Sequence, residues 1–477
     1  MNIDSLLSSG KKVYFIGIGG ISMSGLAQLA QGYGFEVYGS DMHPSERTEA
    51  LKNRGIKIYD SQVKENILEV MPDFIVKTAA ILPKNPEVAI AIENNIKIYD
   101  RAEFLGIITE SYDAVINISG THGKTTTTSM TSLMLLNSDK DPTVHLGAEF
   151  YAFNDTIRLG SDKKLLVSEA CEFNRSFLNF RSTTAAITNI DHDHVDCYPK
   201  LSDVFDVFAK FLEKLDDNGN VVITGREPNT AESITQFVSL NPGKKINVIT
   251  CSVEDELCSY TGEKGMFRAV DVNYIDGLPS YDLYYLDAKL GSVSLRVPGK
   301  HNIDNSLIAA ACAYLNGATP EGIVKALNEF NGADGRYTIK GKYKGATVVV
   351  DYAHHPAAAR ATMEAASHIP HHEILVVFQP LTFNRTKMLF DDYVSSLLPC
   401  KKVLFGEIFS DREVNTGEIS SKDIADKINE QGGDAEFYEK KEDILPRIDE
   451  LISEDDIILI LGPEDIRSLG DVLCPKA

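Results

Sequence analysis

The stretch that decides the fold is Ala114-Val115-Ile116-Asn117-Ile118-Ser119-Gly120-Thr121-His122-Gly123-Lys124-Thr125. Its apolar first half predicts a buried strand, and residues 126–136 predict the helix that follows the turn. Glycines let such a turn curl around an anion with its N–H groups pointing inward, and the helix adds its positive end. We therefore predict a phosphate loop, in which Lys124 holds phosphates and Thr125 offers a hydroxyl to magnesium.

This loop matches the strict phosphate-loop pattern only in part. That pattern has a glycine where this chain has Ile118. The alternative is an ordinary strand–turn–helix connection with a surface lysine. The buried strand before the turn and the helix after it favour the functional interpretation. A loop that binds phosphates in turn indicates that the protein uses a nucleotide such as ATP.

The composition is that of a globular protein with several domains. The chain has 477 residues, 43% of them hydrophobic, and a formal net charge of −22. Such an acidic protein is not expected to bind nucleic acid or an anionic membrane. We find no secretory signal and no run of about 20 apolar residues that could span a bilayer. Seven scattered cysteines are typical of a reducing compartment, so we expect a cytoplasmic protein. We also expect a monomer or a weak homodimer.

Strands that alternate with helices predict an α/β protein with three domains. Residues 1–107 form a predicted Rossmann-like domain, and residues 333–477 a second one that begins within a linker at 331–335. Between them, residues 108–332 are predicted to form a P-loop ATPase-like domain with a mostly parallel sheet. Short Tyr-rich segments within residues 252–297 predict a small antiparallel insertion in this central domain.

A second glycine-rich turn, with Gly17, Gly19 and Gly20, follows the first predicted strand and opens a helix. Asp41 ends the next strand, about twenty residues on. This spacing is similar to a dinucleotide fingerprint, but its last glycine is replaced by Ser22. NAD, another diphosphate and a turn without a ligand all remain open. The helix N-terminus favours a diphosphate.

Polar side chains also end several later strands. Glu169 and His194 end strands that we expect beside the phosphate loop, where they suit a divalent metal or a γ-phosphate. A transition-metal site or a solvated turn is the alternative. Asn302 can read an adenine edge or cap a helix. His355 can bind metal, clamp a substrate or sit in a turn. Arg385 can bind a carboxylate or a phosphate, or form a surface ion pair.

Taken in order, these motifs resemble those of the Mur ligases. The matching segments cover residues 15–21, 23–25, 39–41, 85–87, 101–103, 120–127, 169–172, 188–190, 193–194, 298–302, 351–356, 378–380 and 385–386. Agreement of so many motifs in one order is far more specific than any single motif. The resemblance therefore extends over nearly the whole chain.

The resemblance implies a three-domain ligase that uses ATP and magnesium in peptidoglycan precursor synthesis. ATP would phosphorylate the carboxylate of UDP-N-acetylmuramate, and the amine of L-alanine would displace phosphate from the acyl phosphate. The first domain would hold the UDP-sugar, the central domain ATP and the third domain the amino acid.

The resemblance also implies roles for individual residues. The implied catalytic residues are Lys124, Glu169, His194 and Arg385, and the implied metal ligands are Thr125, Glu169 and His194. The implied ATP-binding residues are Gly120, Thr121, His122, Gly123, Lys124, Thr125, Thr126, His301, Asn302, Asn305, Arg336 and Asp351. The implied UDP-sugar residues are Gly17, Gly19, Gly20, Ser40, Asp41 and Arg101, and those at the amino-acid end are His355, Arg385 and Arg412.

The chain departs from the family pattern at Ser22, at Leu381 where histidine is usual, and at residues 335–338 and 463–464. Most departures lie in the third domain. A sister ligase that adds a preformed peptide, glycine or serine to the same nucleotide sugar is therefore the nearest alternative. A nucleotide-binding regulator without turnover and an NAD-dependent oxidoreductase are the alternatives from other classes.

Overall fold

The computed structural model describes residues 1–78, 80–410 and 413–475. The chain forms three α/β domains in sequence order, each built around its own sheet, as predicted. None of the helices in this described part is both long enough and apolar enough to cross a membrane.

The first domain has a five-stranded parallel sheet in the order β3-β2-β1-β4-β5, the arrangement expected of a Rossmann-like domain. Its strands are β1 (Lys12–Ile16), β2 (Glu36–Ser40), β3 (Lys57–Tyr59), β4 (Phe74–Lys77) and β5 (Lys97–Asp100). Its helices are α1 (Ile3–Ser9), α2 (Ile21–Gly32), α3 (Glu46–Asn53), α4 (Lys64–Val70), α5 (Pro86–Glu93) and α6 (Arg101–Thr109). The glycine-rich turn ends at Gly20, and α2 begins at the next residue, Ile21.

The central domain has a ten-stranded sheet in the order β15-β14-β13-β12-β11-β10-β6-β9-β7-β8. Its strands are β6 (Ala114–Ser119), β7 (Thr143–Phe150), β8 (Asp155–Arg158), β9 (Leu165–Glu169), β10 (Ser182–Ile187), β11 (Leu215–Thr224), β12 (Ile246–Val253), β13 (Phe267–Ile275), β14 (Leu278–Tyr285) and β15 (Ala288–Ser294). Its helices are α7 (Lys124–Leu136), α8 (Leu201–Leu212), α9 (Pro228–Leu240), α10 (Lys300–Leu315) and α11 (Pro320–Glu329), with a 3₁₀ segment at Phe173–Asn179.

The predicted antiparallel insertion is present as β13, β14 and β15. It does not form a sheet of its own, because β13 pairs parallel with β12 and so extends one edge of the main sheet. At the other edge β8 pairs antiparallel with β7, a hairpin that the sequence pattern did not indicate. The phosphate-loop strand β6 lies in the middle of the sheet, between β9 and β10.

The third domain has a six-stranded sheet in the order β16-β17-β21-β18-β19-β20, parallel except at the β16 edge. Its strands are β16 (Thr338–Tyr343), β17 (Ala346–Asp351), β18 (Ile374–Phe378), β19 (Lys402–Gly406), β20 (Ala435–Tyr438) and β21 (Ile457–Leu461). Its helices are α12 (Pro356–Ser367), α13 (Phe383–Met388), α14 (Phe390–Leu397), α15 (Ser421–Glu430), α16 (Ile444–Leu451) and α17 (Glu464–Leu473), with a 3₁₀ turn at Lys441–Asp443.

Candidate active site

The phosphate loop joins β6 to α7, and two of its glycines have left-handed backbones. Gly120 has φ +130° and Gly123 has φ +81°, and a side chain at either position would collide with Thr188 or Asn305. The Asn189 side chain, two residues beyond the end of the neighbouring strand β10, fixes the loop. Its Oδ1 accepts the N–H of His122 at 2.9 Å, and its amide donates to the His122 carbonyl at 3.0 Å. The loop is therefore shaped by its neighbours as well as by its own sequence.

Lys124, the first residue of α7, is folded back onto the loop. Its ammonium group donates to the carbonyl oxygens of Gly120 at 2.5 Å and Thr121 at 3.0 Å. The same group lies 3.1 Å from a carboxylate oxygen of Glu172. Burial would lower the pKa of Lys124, but the charge of Glu172 outweighs this effect and holds the pKa above its ordinary value. Lys124 is thus a buried, charged donor whose counter-ion is Glu172.

Thr125 and Glu169 form a pair of hard oxygen donors beside the loop. The Thr125 hydroxyl donates to Glu169 Oε2 at 2.8 Å, and the same oxygen accepts the N–H of Gly147 at 3.0 Å. Neighbouring ligands of an octahedral Mg²⁺ ion are separated by about 2.9 Å, since each lies about 2.1 Å from the metal. The two oxygens therefore fit a magnesium ion. Arg336 from the third domain donates to the Thr125 hydroxyl at 3.3 Å.

His194 follows β10 on the opposite side of the loop from Glu169. Its backbone has φ +50°, and its Nε2 lies 3.6 Å from Glu172 Oε1. Burial lowers the pKa of His194 in spite of the nearby carboxylates of Asp193 and Glu172, so the ring is neutral at pH 7. Glu169 ends β9 and His194 follows β10, and these two strands lie on either side of β6 rather than next to each other. The two side chains therefore lie at the same sheet edge, on either side of the loop.

The residues assigned to adenine begin helix α10, next to the loop. The Asn302 amide donates to the Pro298 carbonyl at 2.7 Å, and its Oδ1 accepts from Asn305 at 3.1 Å. The N-cap position is occupied by Gly299, so Asn302 does not cap the helix. Burial, together with the charges of His122 and Arg226, lowers the pKa of His301 to about 4. Thr126, also predicted to bind ATP, is largely buried in the first turn of α7.

Two third-domain residues predicted to bind substrates have defined surroundings. Asp351 ends β17 and accepts a 2.6 Å hydrogen bond from Thr362, and burial raises its pKa. His355 caps α12, because its Nδ1 accepts the N–H of Ala357 at 3.3 Å. Burial and the neighbouring His122 lower the pKa of His355 to about 4. Since Nδ1 is an acceptor, the proton of this neutral ring lies on Nε2, which has no partner among the described residues.

Arg385 joins the third domain to the central one. It is 1% exposed, and both its Nε and its Nη2 lie 2.7 Å from Asp193 Oδ1. Burial would raise the pKa of Asp193, but the charge of Arg385, helped by nearby histidines, holds it well below its usual range. Arg412, predicted with Arg385 for the amino-acid end, lies outside the described residues.

The predicted sugar-nucleotide turn is held by Asp41, whose carboxylate accepts the Gly19 N–H at 2.8 Å. Gly17 has φ +79°, and Gly20 leaves the N-terminus of α2 without a side-chain cap. Ser40 is fully buried, and its hydroxyl donates to Glu87 at 2.6 Å. The side chain of Ser40 therefore faces the domain core and not the turn.

Arg101 lies at the boundary between the first and central domains. It donates to the Ser22 hydroxyl at 3.1 Å, and that hydroxyl lies 3.0 Å from His145 Nε2. Burial lowers the pKa of Arg101, and no carboxylate of the described residues forms an ion pair with it. Burial and the charge of Arg101 also lower the pKa of His145 to about 3, so the ring that shares a hydrogen bond with Ser22 is neutral. This leaves a buried guanidinium available for an anionic ligand.

All three domains line one cleft of about 2190 Å³. The first domain contributes Ser24 and Arg47 and the central domain contributes the phosphate loop, while His355 and Arg385 come from the third. The cleft is large enough for a nucleotide and a second substrate together. Its central part can hold a nucleoside triphosphate with a divalent metal and can neutralise a transferring phosphate. Glu172 and Asp193 form ion pairs with the predicted site residues Lys124 and Arg385, and the sequence analysis gave them no role although both stand in its motifs.

Comparisons with known proteins agree with this geometry. Residues 12–113 match the family model described as Mur ligase family, catalytic domain, and residues 118–313 match the Mur ligase middle domain. Residues 335–463 match the Mur ligase, glutamate ligase domain. The chain is 38% identical to a UDP-N-acetylmuramate–L-alanine ligase of Clostridium botulinum (strain Loch Maree / Type A3) over 99% of both chains. It is also 38% identical to the ligase of that name from Clostridium acetobutylicum over 100% of both chains.

Solved structures show the same architecture. The UDP-N-acetylmuramate–alanine ligase of Thermotoga maritima superposes with a TM-score of 0.77 at 26% identity, covering 97% of this chain and 98% of that one. A murein peptide ligase of Psychrobacter arcticus shares the fold, with a TM-score of 0.70 at 22% identity over 97% of this chain and 98% of that one. With family models over all three domains and relatives that align along its whole length, this chain belongs to the Mur ligase family.

Proposed function

We propose that this chain is an ATP-dependent ligase that joins L-alanine to the carboxylate of UDP-N-acetylmuramate, in peptidoglycan precursor synthesis. The observation that carries the proposal is the single cleft in which the phosphate loop, the Thr125–Glu169 oxygen pair and residues of both outer domains meet. The full-length similarity to proteins named as L-alanine ligases supports this choice of amine.

The chemistry follows from the charges. A carboxylate resists nucleophiles, so the γ-phosphoryl group of ATP is transferred to a carboxylate oxygen, giving an acyl phosphate and ADP. The L-alanine amine attacks the acyl carbon, loses a proton, and the resulting tetrahedral intermediate expels phosphate as the amide forms. Lys124 would leave Glu172 and neutralise the charge on the transferring phosphoryl group. The protein positions the substrates and neutralises their charges, and it forms no covalent bond to them.

Magnesium fits the oxygen donors described above, and we assign Thr125 and Glu169 to the first ion and His194 to a second. When bound, the metal would reduce the repulsion between the phosphates and the incoming carboxylate. The chain's own share is to orient these ligands. Glu169 is held by the Gly147 N–H, and Arg336 reaches the Thr125 hydroxyl from the third domain.

The substrates would be divided among the domains. Residues 1–107 would bind the UDP-sugar through the turn at Gly17, Gly19 and Gly20, with Arg101 on an anionic group. Residues 108–332 would bind ATP, and residues 333–477 would bind L-alanine. We assign the Nε2–H of His355 to this end, since it is buried and unpaired in the described structure. We further propose a cytoplasmic protein that is monomeric or weakly dimeric.

The decisive test measures phosphate release by the purified chain with ATP and magnesium. We expect release only when both UDP-N-acetylmuramate and L-alanine are present, and release without L-alanine dependence would contradict the assignment. A panel with glycine, serine and a preformed peptide separates this function from that of a sister ligase. Lys124→Ala should lower kcat by at least about 100-fold, because one lost charge-stabilising donor has about that effect.

A further inference from the structure

The cleft contains a second group of metal-binding side chains with a different chemistry from the Thr125–Glu169 pair. Cys171, Glu172 and His194 offer a sulfur, a carboxylate oxygen and an imidazole nitrogen that all lie within 4.8 Å of one another. Cys171 and Glu172 lie two and three residues beyond the end of β9, and His194 reaches them from the segment after β10. Cys171 and His194 both line the cleft, so an ion can reach them from solvent.

The spacing of these donors suits a tetrahedral ion. Bonds of about 2.0–2.3 Å place the ligands of a tetrahedral Zn²⁺ roughly 3.3–3.8 Å apart. His194 Nε2 and Glu172 Oε1 are already 3.6 Å apart. The other ring nitrogen of His194 is buried and has no hydrogen-bond partner among the described residues, so the ring can turn without losing a bond. Small side-chain movements would therefore complete three ligands, with water as the fourth.

We propose that Cys171, Glu172 and His194 form a binding site for a thiophilic divalent ion of the Zn²⁺ class. Sulfur and imidazole ligands select Zn²⁺ over Mg²⁺, which binds almost entirely through oxygen. The thiol releases its proton to solvent when Sγ coordinates the ion. The site is distinct from the Thr125–Glu169 oxygen pair and depends on a cysteine that the ligase reaction does not use.

A second group in the described residues meets the same distance limit but is a weaker candidate. It consists of His122, Asp191 and His355. The Nδ1 of His355 accepts the Ala357 N–H at the start of α12, so its Nε2 carries the ring proton. Metal binding through Nε2 would move the ring proton to Nδ1 and so break the hydrogen bond that caps α12. No such conflict exists at Cys171.

Occupation of the proposed site competes with the resting position of Lys124. The Lys124 ammonium lies 3.1 Å from Glu172 and would repel a dication at the cluster. The ion must therefore displace Lys124 from Glu172. It also occupies His194, which we assign to the second magnesium ion. Resting on the proposed ligase function, this predicts that Zn²⁺ inhibits phosphate transfer even when Mg²⁺ is in excess.

The test uses the full-length, nucleotide-free protein and two probes, Zn²⁺ by calorimetry and Co²⁺ by absorption spectroscopy. The parent should bind one equivalent of either ion, with a thiolate-to-cobalt charge-transfer band. Cys171→Ser should abolish the band and weaken Zn²⁺ binding by about 100-fold, because even outer-shell partners of a metal contribute about 10–100-fold to affinity. Cys171→Ala provides the same test if the serine variant folds poorly.

Two further variants make the test specific. Cys197→Ser removes a thiol three residues beyond His194 and outside the cluster, and should keep both the band and the affinity. Lys124→Ala should bind Zn²⁺ about tenfold more tightly, because it removes the competing charge. A band that persists without Cys171, or a Lys124→Ala variant that binds no more tightly than the parent, would overturn the proposal. These readouts need no turnover, so they stand apart from the outcome of the ligase assay.

Discussion

The buried ion pair between Asp193 and Arg385 should control how firmly the third domain docks on the central one. We consider Asp193→Asn, which keeps the shape of the side chain but removes its charge. Both partners are almost fully buried, and the two contacts of 2.7 Å converge on one carboxylate oxygen. The variant leaves a guanidinium group buried without a counter-ion. Loss of one partner from such a pair costs about 3–5 kcal/mol.

That cost disappears when the domains separate, because Arg385 then becomes hydrated. The variant should therefore shift the docking equilibrium toward the open form by at least about 100-fold, which corresponds to about 3 kcal/mol. Hydrogen exchange of α13, the helix that carries Arg385, measures this opening directly. We expect exchange in α13 to accelerate by about that factor, with little change in the core strands of either domain.

Asp191→Asn is the matched control, because its carboxylate lies two residues away, is 43% exposed and faces His122 at 3.5 Å. It should change exchange in α13 by no more than about fivefold, as expected for an exposed pair. If Asp193→Asn protects α13 as well as the parent does, the ion pair does not hold the domains together and the reasoning fails. The double variant with Arg385→Met should recover part of the loss, since no unpaired charge remains.

The same pair predicts the pH dependence of docking. The pKa of Asp193 is held well below its usual range in the folded protein, so its contribution is present above the unfolded pKa of about 3.9 and is lost as pH falls below that value. After correction for intrinsic exchange rates, protection of α13 should be constant between about pH 5 and 8. It should fall only in stronger acid, and a loss near neutral pH would point to a histidine instead.

Three further predictions concern the other sites. His145→Leu removes the hydrogen-bond partner that fixes Ser22 beside Arg101, so KM for UDP-N-acetylmuramate should rise about tenfold in steady-state assays, while KM for ATP changes less than about twofold. The Glu87 carboxylate accepts hydrogen bonds from Tyr14, Ser40 and Asn66, and in Glu87→Gln one of these donors would face the amide NH2 group instead of an acceptor. This variant should lower the free energy of unfolding of the first domain in urea by about 1–3 kcal/mol. EDTA should abolish ADP formation, and excess Mg²⁺ should restore it; activity that survives chelation would exclude a required divalent ion.

Much of the fold follows from patterns that are local in sequence. Apolar runs of four to six residues that end in polar or glycine-rich turns identify the parallel strands, because such strands are buried on both faces. The loop before α7 was predicted with its strand and helix for this reason. The edges of the central sheet were less predictable. Whether β13 continues the main sheet or forms a separate one depends on its pairing with β12, which no local pattern specifies.

The candidate site was predicted unevenly, for a related reason. Lys124, Thr125 and Glu169 stand in motifs whose chemistry can be read from residue type and position. Glu172 and Asp193 stand in the same motifs, but their roles depend on partners far away in sequence. Asp193 is paired with a side chain 192 positions later, and that pairing exists only when the domains meet. Long-range electrostatic pairing of this kind leaves no periodic signal in the chain.

The isoleucine at position 118 illustrates how a departure from a motif can have a structural reason. Ile118 is fully buried in β6 and is in register with Ala186 of β10 and Glu169 of β9. Glycine is disfavoured in strands, whereas β-branched isoleucine is favoured, and β6 continues past Ile118 to Ser119. The register partner of Ile118 in β9, Glu169, lies at the level of the loop, where its carboxylate meets the Thr125 hydroxyl. The residue that weakens the match to the strict pattern thus lies in the part of β6 that pairs with the residue whose carboxylate we assign to magnesium.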